Sequence, residues 1–168
     1  MLPLSRANPR GPWHGGRYNR SSVGPRVAPA GWRCLISTAI TAPQATATDI
    51  AARLEQARQF AIDVARTAAD TKCHNVVVLD VSGVSPITDF MVMATGTSAR
   101  QMRAVIDGVE EMAVPKGNPP YARSGLEGES WMVLDFFDVV LHVFSGDARA
   151  FYDLDALWGD AGRVKWER

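Results

Sequence analysis

The chain has 168 residues, 46% of them hydrophobic and 21% charged, the composition of one ordinary domain with a real apolar core. Its zero net charge is a sum of opposites: residues 1–48 hold six arginines and no acid, a net +6, and residues 49–168 hold the other 12 bases and all 18 acids, a net −6. An acidic body argues against direct nucleic-acid readout and for basic protein surfaces as partners, Cys34 and Cys73 are too few for a disulfide framework or a structural zinc site, and no apolar run approaches the roughly 20 residues that cross a bilayer.

Residues 1–45 are rich in Pro, Gly, Ser and Arg and show no helical or strand period, so a disordered basic extension is expected over 1–47. Its composition fits a passive tail, a start placed too early, or a transit peptide for a mitochondrion or plastid; otherwise the expected compartment is the cytoplasm. The first helical period runs through Ile50, Leu54, Ala57, Ala61, Val64 and Ala68, with Thr48 as N-cap and Asp49 in the first turn. Val76–Val81 reads as a strand buried on both faces, Ser82-Gly83 and Ser85-Pro86 interrupt it, and Asp89–Ala94 reads as a second strand.

Ser98 and Gln101 have the spacing of a capping box before a second helix, whose buried stripe is Met102, Val105, Ile106, Val109 and Ala113. Pro115, Gly117, Pro119 and Pro120 end it. A short extended segment near Tyr121 precedes hairpin strands at Trp131–Asp135 and Asp138–Phe144, and one or two helical turns follow between Asp147 and Trp158. The order αββαβββα predicts a single α/β domain over 48–161, a mixed β-sheet with packed helices, followed by a tail at 162–168.

The two-residue period of a strand places Trp131, Val133 and Asp135 on one face, opposite Met132 and Leu134. A tryptophan beside a carboxylate on one face is either a contact patch or the cover of a core edge, and spacing leaves both open. His142, between Leu141 and Val143, reads as a hydrogen-bonded structural histidine, since nothing near it supplies a nucleophile or metal-ligand spacing. Asp135 and Asp138 flank a turn at an odd step and so are expected on opposite faces; with Asp153 and Asp155 they read as solvated or paired acids, not metal ligands. Gly96-Thr97-Ser98 at a helix start is the one feature that suits an enzyme, because helix N-termini bind phosphates, but it lacks the further glycines and lysine of a phosphate loop, and capping explains it better.

Several segments occur in the order found in one family: Leu79-Asp80-Val81, Thr88-Asp89-Phe90, Thr95 to Gln101, Trp131 to Asp135, Asp138 to Phe144 and Arg149 to Trp158. Over about residues 50–161 the chain resembles the ribosomal silencing factors, the Iojap-like proteins of bacteria, mitochondria and plastids. The resemblance implies a nucleotidyltransferase-like fold without that activity and with no cofactor or metal. It implies binding of the large ribosomal subunit through a uL14-type ribosomal protein, a steric block on joining of the small and large subunits, and repression of translation under nutrient limitation. The partner-binding residues expected on that basis are Asp89, Phe90, Trp131, Asp135, Asp138, His142 and Tyr152, with the contact reading now preferred for Trp131. The family often has Gly in the hairpin turn where this chain has Phe137, which suggests a different turn. The rival expectation is a nucleotidyltransferase-like enzyme holding a nucleotide at Gly96–Ser98; a homodimer through the hairpin edge is compatible with the first reading.

Overall fold

The computed structural model describes residues 46–167; the expected extension at 1–47 lies almost wholly outside the described residues. The first helix, α1 (Ala47–Asp70), starts two residues earlier than the period suggests. Its N-cap is Thr46, not Thr48, because Asp49 stands three residues on and closes a capping box: the Thr46 amide donates to the Asp49 carboxylate at 3.0 Å and the Asp49 amide to the Thr46 hydroxyl at 3.2 Å. Ala57, Phe60, Ala61, Val64, Ala65 and Ala68 are its buried face, while Ile50, in the expected stripe, is 47% exposed. The second helix, α2 (Ala99–Ala113), buries the five residues its period predicts.

The strands are β1 (His74–Asp80), β2 (Phe90–Gly96), β3 (Ala122–Ser124), β4 (Trp131–Asp135), β5 (Val139–Ser145) and β6 (Gly162–Arg163), in the sheet order β3-β4-β5-β2-β1-β6. All neighbours are antiparallel except the central β2–β5 pair, whose parallel register runs from Phe90↔Val139 to Gly96↔Ser145. A parallel pair needs a long crossover, and α2 with β3 and β4 supplies it. The expected burial of Val76–Val81 on both faces is present, with Val78 in one core and Leu79 and Val81 in the other, and it is more complete in β2, where all seven residues are buried.

One face of the sheet carries α1 and α2 over a core that includes Val78, Phe90, Val92, Met132, Leu134, Leu141 and Val143. On the other face a smaller cluster of Leu79, Val81, Met91, Met93, Phe144 and Ala148 is covered by the last two helices, α3 (Gly146–Tyr152) and α4 (Leu154–Leu157). These replace the single helical stretch expected between Asp147 and Trp158, because Asp153 takes a left-handed conformation (φ +41) that breaks the run.

Residues 162–167 are not a tail. Gly162 and Arg163 pair with Asp80 and Leu79, the Val164 amide donates to the Val78 carbonyl at 2.9 Å, and Val164 is buried. Trp166 packs on the main core and donates its indole N–H to the Val76 carbonyl at 3.2 Å, while its own carbonyl accepts from Arg66 Nε at 3.2 Å. A two-residue strand has no period to read, and only its partner β1 reveals it.

The β3–β4 connection depends on Gly125, whose φ is +76. A Cβ built there would press on the carbonyl oxygen of Trp131 and lie 3.1 Å from its carbon and 3.2 Å from Met132 Cα, all backbone atoms that cannot rotate away. Gly125→Ala is expected to cost about 2 kcal/mol, from the left-handed backbone and from forcing β3 off β4; a urea-unfolding midpoint equal to that of the parent protein would refute this.

Candidate functional site

The β4–β5 register sets Trp131 opposite Phe144, Val133 opposite His142 and Asp135 opposite Val140. The expected alternation holds: Met132 and Leu134 are fully buried beneath the helices, and Trp131, Val133 and Asp135 are half-buried on the other face. The helices α3 and α4 cover only part of that face. Trp131 therefore stands where the small core meets the uncovered sheet.

Four rings assemble there. Trp131 stacks on Phe144 (centroids 5.1 Å apart, 26° between planes), packs on Tyr152 at 4.7 Å, and lies 5.8 Å from His142, to whose Nδ1 its indole N–H donates at 3.2 Å. Phe151 meets Tyr152 edge-on at 5.1 Å and extends the cluster outward, being 81% exposed. Beneath them the Arg149 guanidinium sits 5.9 Å from the centroid of the Phe144 ring and is held by the Asp155 carboxylate through Nε at 2.7 Å and Nη2 at 3.1 Å. The tertiary reason for Asp155 is thus charge compensation of Arg149.

Burial pushes the His142 pKa down from 6.5 to about 4, with the Arg149 cation adding to the effect and the Asp135 carboxylate opposing it. The unfolded chain accepts a proton near pH 6.5 that the folded protein refuses, so this contribution to stability is complete above pH 6.5 and is lost as pH falls toward about 4. Denaturant unfolding is expected to show wild type losing stability between pH 6.5 and 4.5 with a slope approaching about 1.4 kcal/mol per pH unit beyond that of His142→Gln. Parallel pH curves for the two proteins would contradict this.

The other expected site residues do not join this cluster. Asp89 and Asp138 lie at the far end of β2 and β5, about 13 Å from His142 and about 20 Å from Phe144 along the strand at the usual rise per residue, and share one cation: Arg53 on α1 reaches Asp89 at 3.2 Å and Asp138 at 3.7 Å. Burial raises the Asp89 pKa, the Arg53 charge opposes that rise, and Asp138 and Asp80 add to it. The Asp138 carbonyl also accepts from the Asp89 and Phe90 amides, which locks the two strand starts together. Asp135 shares the Trp131 face, apart from Asp138 as expected, and its carboxylate accepts from the Phe137 amide at 2.8 Å. Phe90 is a correction: at 2% exposure its side chain is core under α1 and α2, and no partner can reach it.

Phe137 takes the left-handed conformation (φ +68) that a glycine in this turn would adopt, so the turn expected to differ keeps a glycine-like backbone. The Asp135 carboxylate and a ring contact with Tyr121 at 4.1 Å hold it there. Arg53, Phe144 and Arg149 are missing from the expected site. Phe144 was legible, since it shares the two-residue period of His142; the two arginines act through partners distant in sequence or beyond a helix break.

At the α2 start the Ser98 hydroxyl accepts from the Gln101 amide at 3.2 Å, and the Gln101 side-chain oxygen accepts from the Thr97 amide at 2.8 Å. The same side chain donates to the Thr71 carbonyl at 2.9 Å, tying α2 to the end of α1. Two N–H groups that a phosphate would need are already engaged, and the turn acts as a structural cap.

The sequence profile of the family described as "Ribosomal silencing factor during starvation" matches residues 54–168. A ribosomal silencing factor of Halalkalibacterium halodurans is 39% identical over 98 residues, 58% of this chain and 84% of its own. The chloroplastic Iojap protein of Arabidopsis thaliana is 33% identical over 129 residues, 77% of this chain and 52% of its own. A crystal structure of a Chromobacterium violaceum protein superposes with a TM-score of 0.57 at 31% identity, covering 63% of this chain and 86% of that one. With the profile matching more than half of the chain, from the third turn of α1 through every later described element, this protein belongs to the ribosomal silencing factor family.

Proposed function

We propose that the protein binds the large ribosomal subunit at a uL14-type ribosomal protein and blocks small-subunit joining by occupying the docking surface, lowering translation when nutrients are scarce. It does so without chemistry. The observation that carries this reading is the ring cluster of Trp131, Tyr152 and Phe151, gathered where the protein's own helices stop covering the sheet. Clustered, partly desolvated aromatic side chains are the usual anchors of a tight interface. Asp135 on the same face, and the net −6 of residues 49–168, suit a basic partner and speed encounter with it.

Asp89 and Asp138 belong to this proposal as a second, flanking patch whose charge is reduced by Arg53, and His142 and Tyr152 as part of the first. Relatives from bacteria and from chloroplasts both match, which suits the cytoplasm as the compartment, or a mitochondrion or plastid if residues 1–47 act as a transit peptide. Among the described residues no helix is long and apolar enough to cross a membrane. The homodimer expected through the hairpin edge would have to use β3 instead, because β4 is paired with β3 and β5 with β2, so neither hairpin strand has a free edge; the three residues of β3 are all exposed.

Purified protein is expected to co-sediment with large subunits on sucrose gradients and to suppress reassociation of separated subunits. Failure of both sinks the reading. A rise in thermal stability with nucleoside triphosphate and magnesium would revive the enzyme alternative, because a ligand that binds only the native state must stabilise it.

A further inference from the structure

We infer that His142 is a fixed hydrogen-bond donor at the centre of the aromatic face: the Trp131 indole N–H holds its ring in the tautomer protonated at Nε2, and that N–H is offered to an uncharged oxygen of the docked partner. The acceptor half of this inference rests on the docking reading above; the tautomer half does not.

The indole nitrogen can only donate, so the His142 Nδ1 it meets at 3.2 Å must present a lone pair. A neutral imidazole has one proton, which then resides on Nε2. The charged form would set two N–H groups against each other, and it is also opposed by burial of the ring and by Arg149 on α3, with Asp135 on β4 the one acid that favours it. His142 therefore stays neutral at physiological pH, and its tautomer is chosen by one neighbour.

Nε2 has no hydrogen bond among the described residues, yet none of their buried side-chain nitrogen or oxygen atoms is left without a partner. The residue as a whole is 9% exposed, so an edge of the ring remains open, and Nε2 is its only polar atom without a partner among the described residues. In the free protein the acceptor open to it is solvent water. A partner that covers the ring cluster expels that water, and a donor buried without an acceptor is costly, so the partner must bring an oxygen to this point. A carboxylate or phosphate is disfavoured because Asp135 lies on the same face of an acidic body. What remains is a backbone carbonyl, a side-chain amide or a hydroxyl. Trp131 thus has a second role as a positioning residue that fixes which way His142 can bond.

Long-range proton–nitrogen NMR correlation on the full chain, labelled with 15N-histidine, tests the first half. For His142 at neutral pH the expected pattern is an unprotonated Nδ1 and a protonated Nε2, and Trp131→Phe, which keeps a ring but loses the donor, is expected to show both tautomers in exchange. A proton on Nδ1 in wild type, or an unchanged pattern in Trp131→Phe, overturns it. Binding to purified large subunits tests the second half. His142→Phe is expected to weaken binding about 5- to 30-fold, and His142→Gln, whose amide can place an N–H near Nε2, is expected to stay within about threefold of wild type. Equal losses in the two variants, or no loss in a folded His142→Phe, overturn the acceptor assignment. If wild type itself does not bind, the docking reading fails while the NMR result still decides the tautomer.

Discussion

Trp131→Ala is expected to weaken binding to large ribosomal subunits by about tenfold, the 1–2 kcal/mol of a modest interface anchor. The ring touches Phe144 and Tyr152 and donates to His142, so its removal takes away the middle of the exposed cluster and frees its neighbours to repack. Because Trp131 is half-buried, the same truncation is expected to lower stability by about 2 kcal/mol, short of unfolding the domain. The two effects separate experimentally: affinity is measured at a temperature where circular dichroism shows the variant fully folded, and Trp131→Phe, which keeps most of the apolar area but loses the donor to His142, divides the ring's own contact from its positioning of His142. An affinity unchanged in the folded alanine variant would mean that Trp131 only covers the edge of the small core, the reading that strand spacing alone left open.

Deleting residues 162–168 is expected to cost about 3–4 kcal/mol and to lower the melting temperature by more than about 10 °C. The loss is of specific things: the β1–β6 pairing, the hydrogen bond from Val164 to Val78, the buried Val164 side chain, and the Trp166 ring with its bonds to Val76 and Arg66. Burying one valine and about half a tryptophan is worth about 3 kcal/mol at the usual coefficient, and for a domain of this size each kcal/mol moves the transition by several degrees. The sequence-derived boundary at 161 predicts no effect. A truncated protein melting within 2 °C of the full chain would vindicate that boundary and reduce β6 to an ornament.

How far the sequence could be read differs from element to element. The face of α2 was legible because a 3.6-residue period is imposed by burial along one local element, and Ser98 and Gln101 announce its start by spacing. The N-cap of α1 was legible in principle: Thr46 and Asp49 have the three-residue spacing of a capping box, and Thr48 merely lies nearer the first apolar residue. Alternation in β4 gave the two sides of Trp131 and Leu134 correctly, but not which side the helices take. Phe90 was assigned to the right strand and to the wrong environment, since its burial comes from α1 and α2 above it.

The primary structure was sufficient to establish an α/β domain, the order of its first seven elements and the core stripe of α2, because each of those is written in neighbours within about ten residues; the rings of Trp131 and Tyr152 became site candidates through the family resemblance. The folded chain alone decided that the expected acidic and aromatic patch is two patches, one around Trp131, His142 and Tyr152 and one where Asp89 and Asp138 share Arg53. It alone paired β6 with β1 and set the Trp131 donor on the His142 ring. Those outcomes depend on strand order and on contacts between residues far apart along the chain, and no local pattern of side chains encodes which distant partner will close on which.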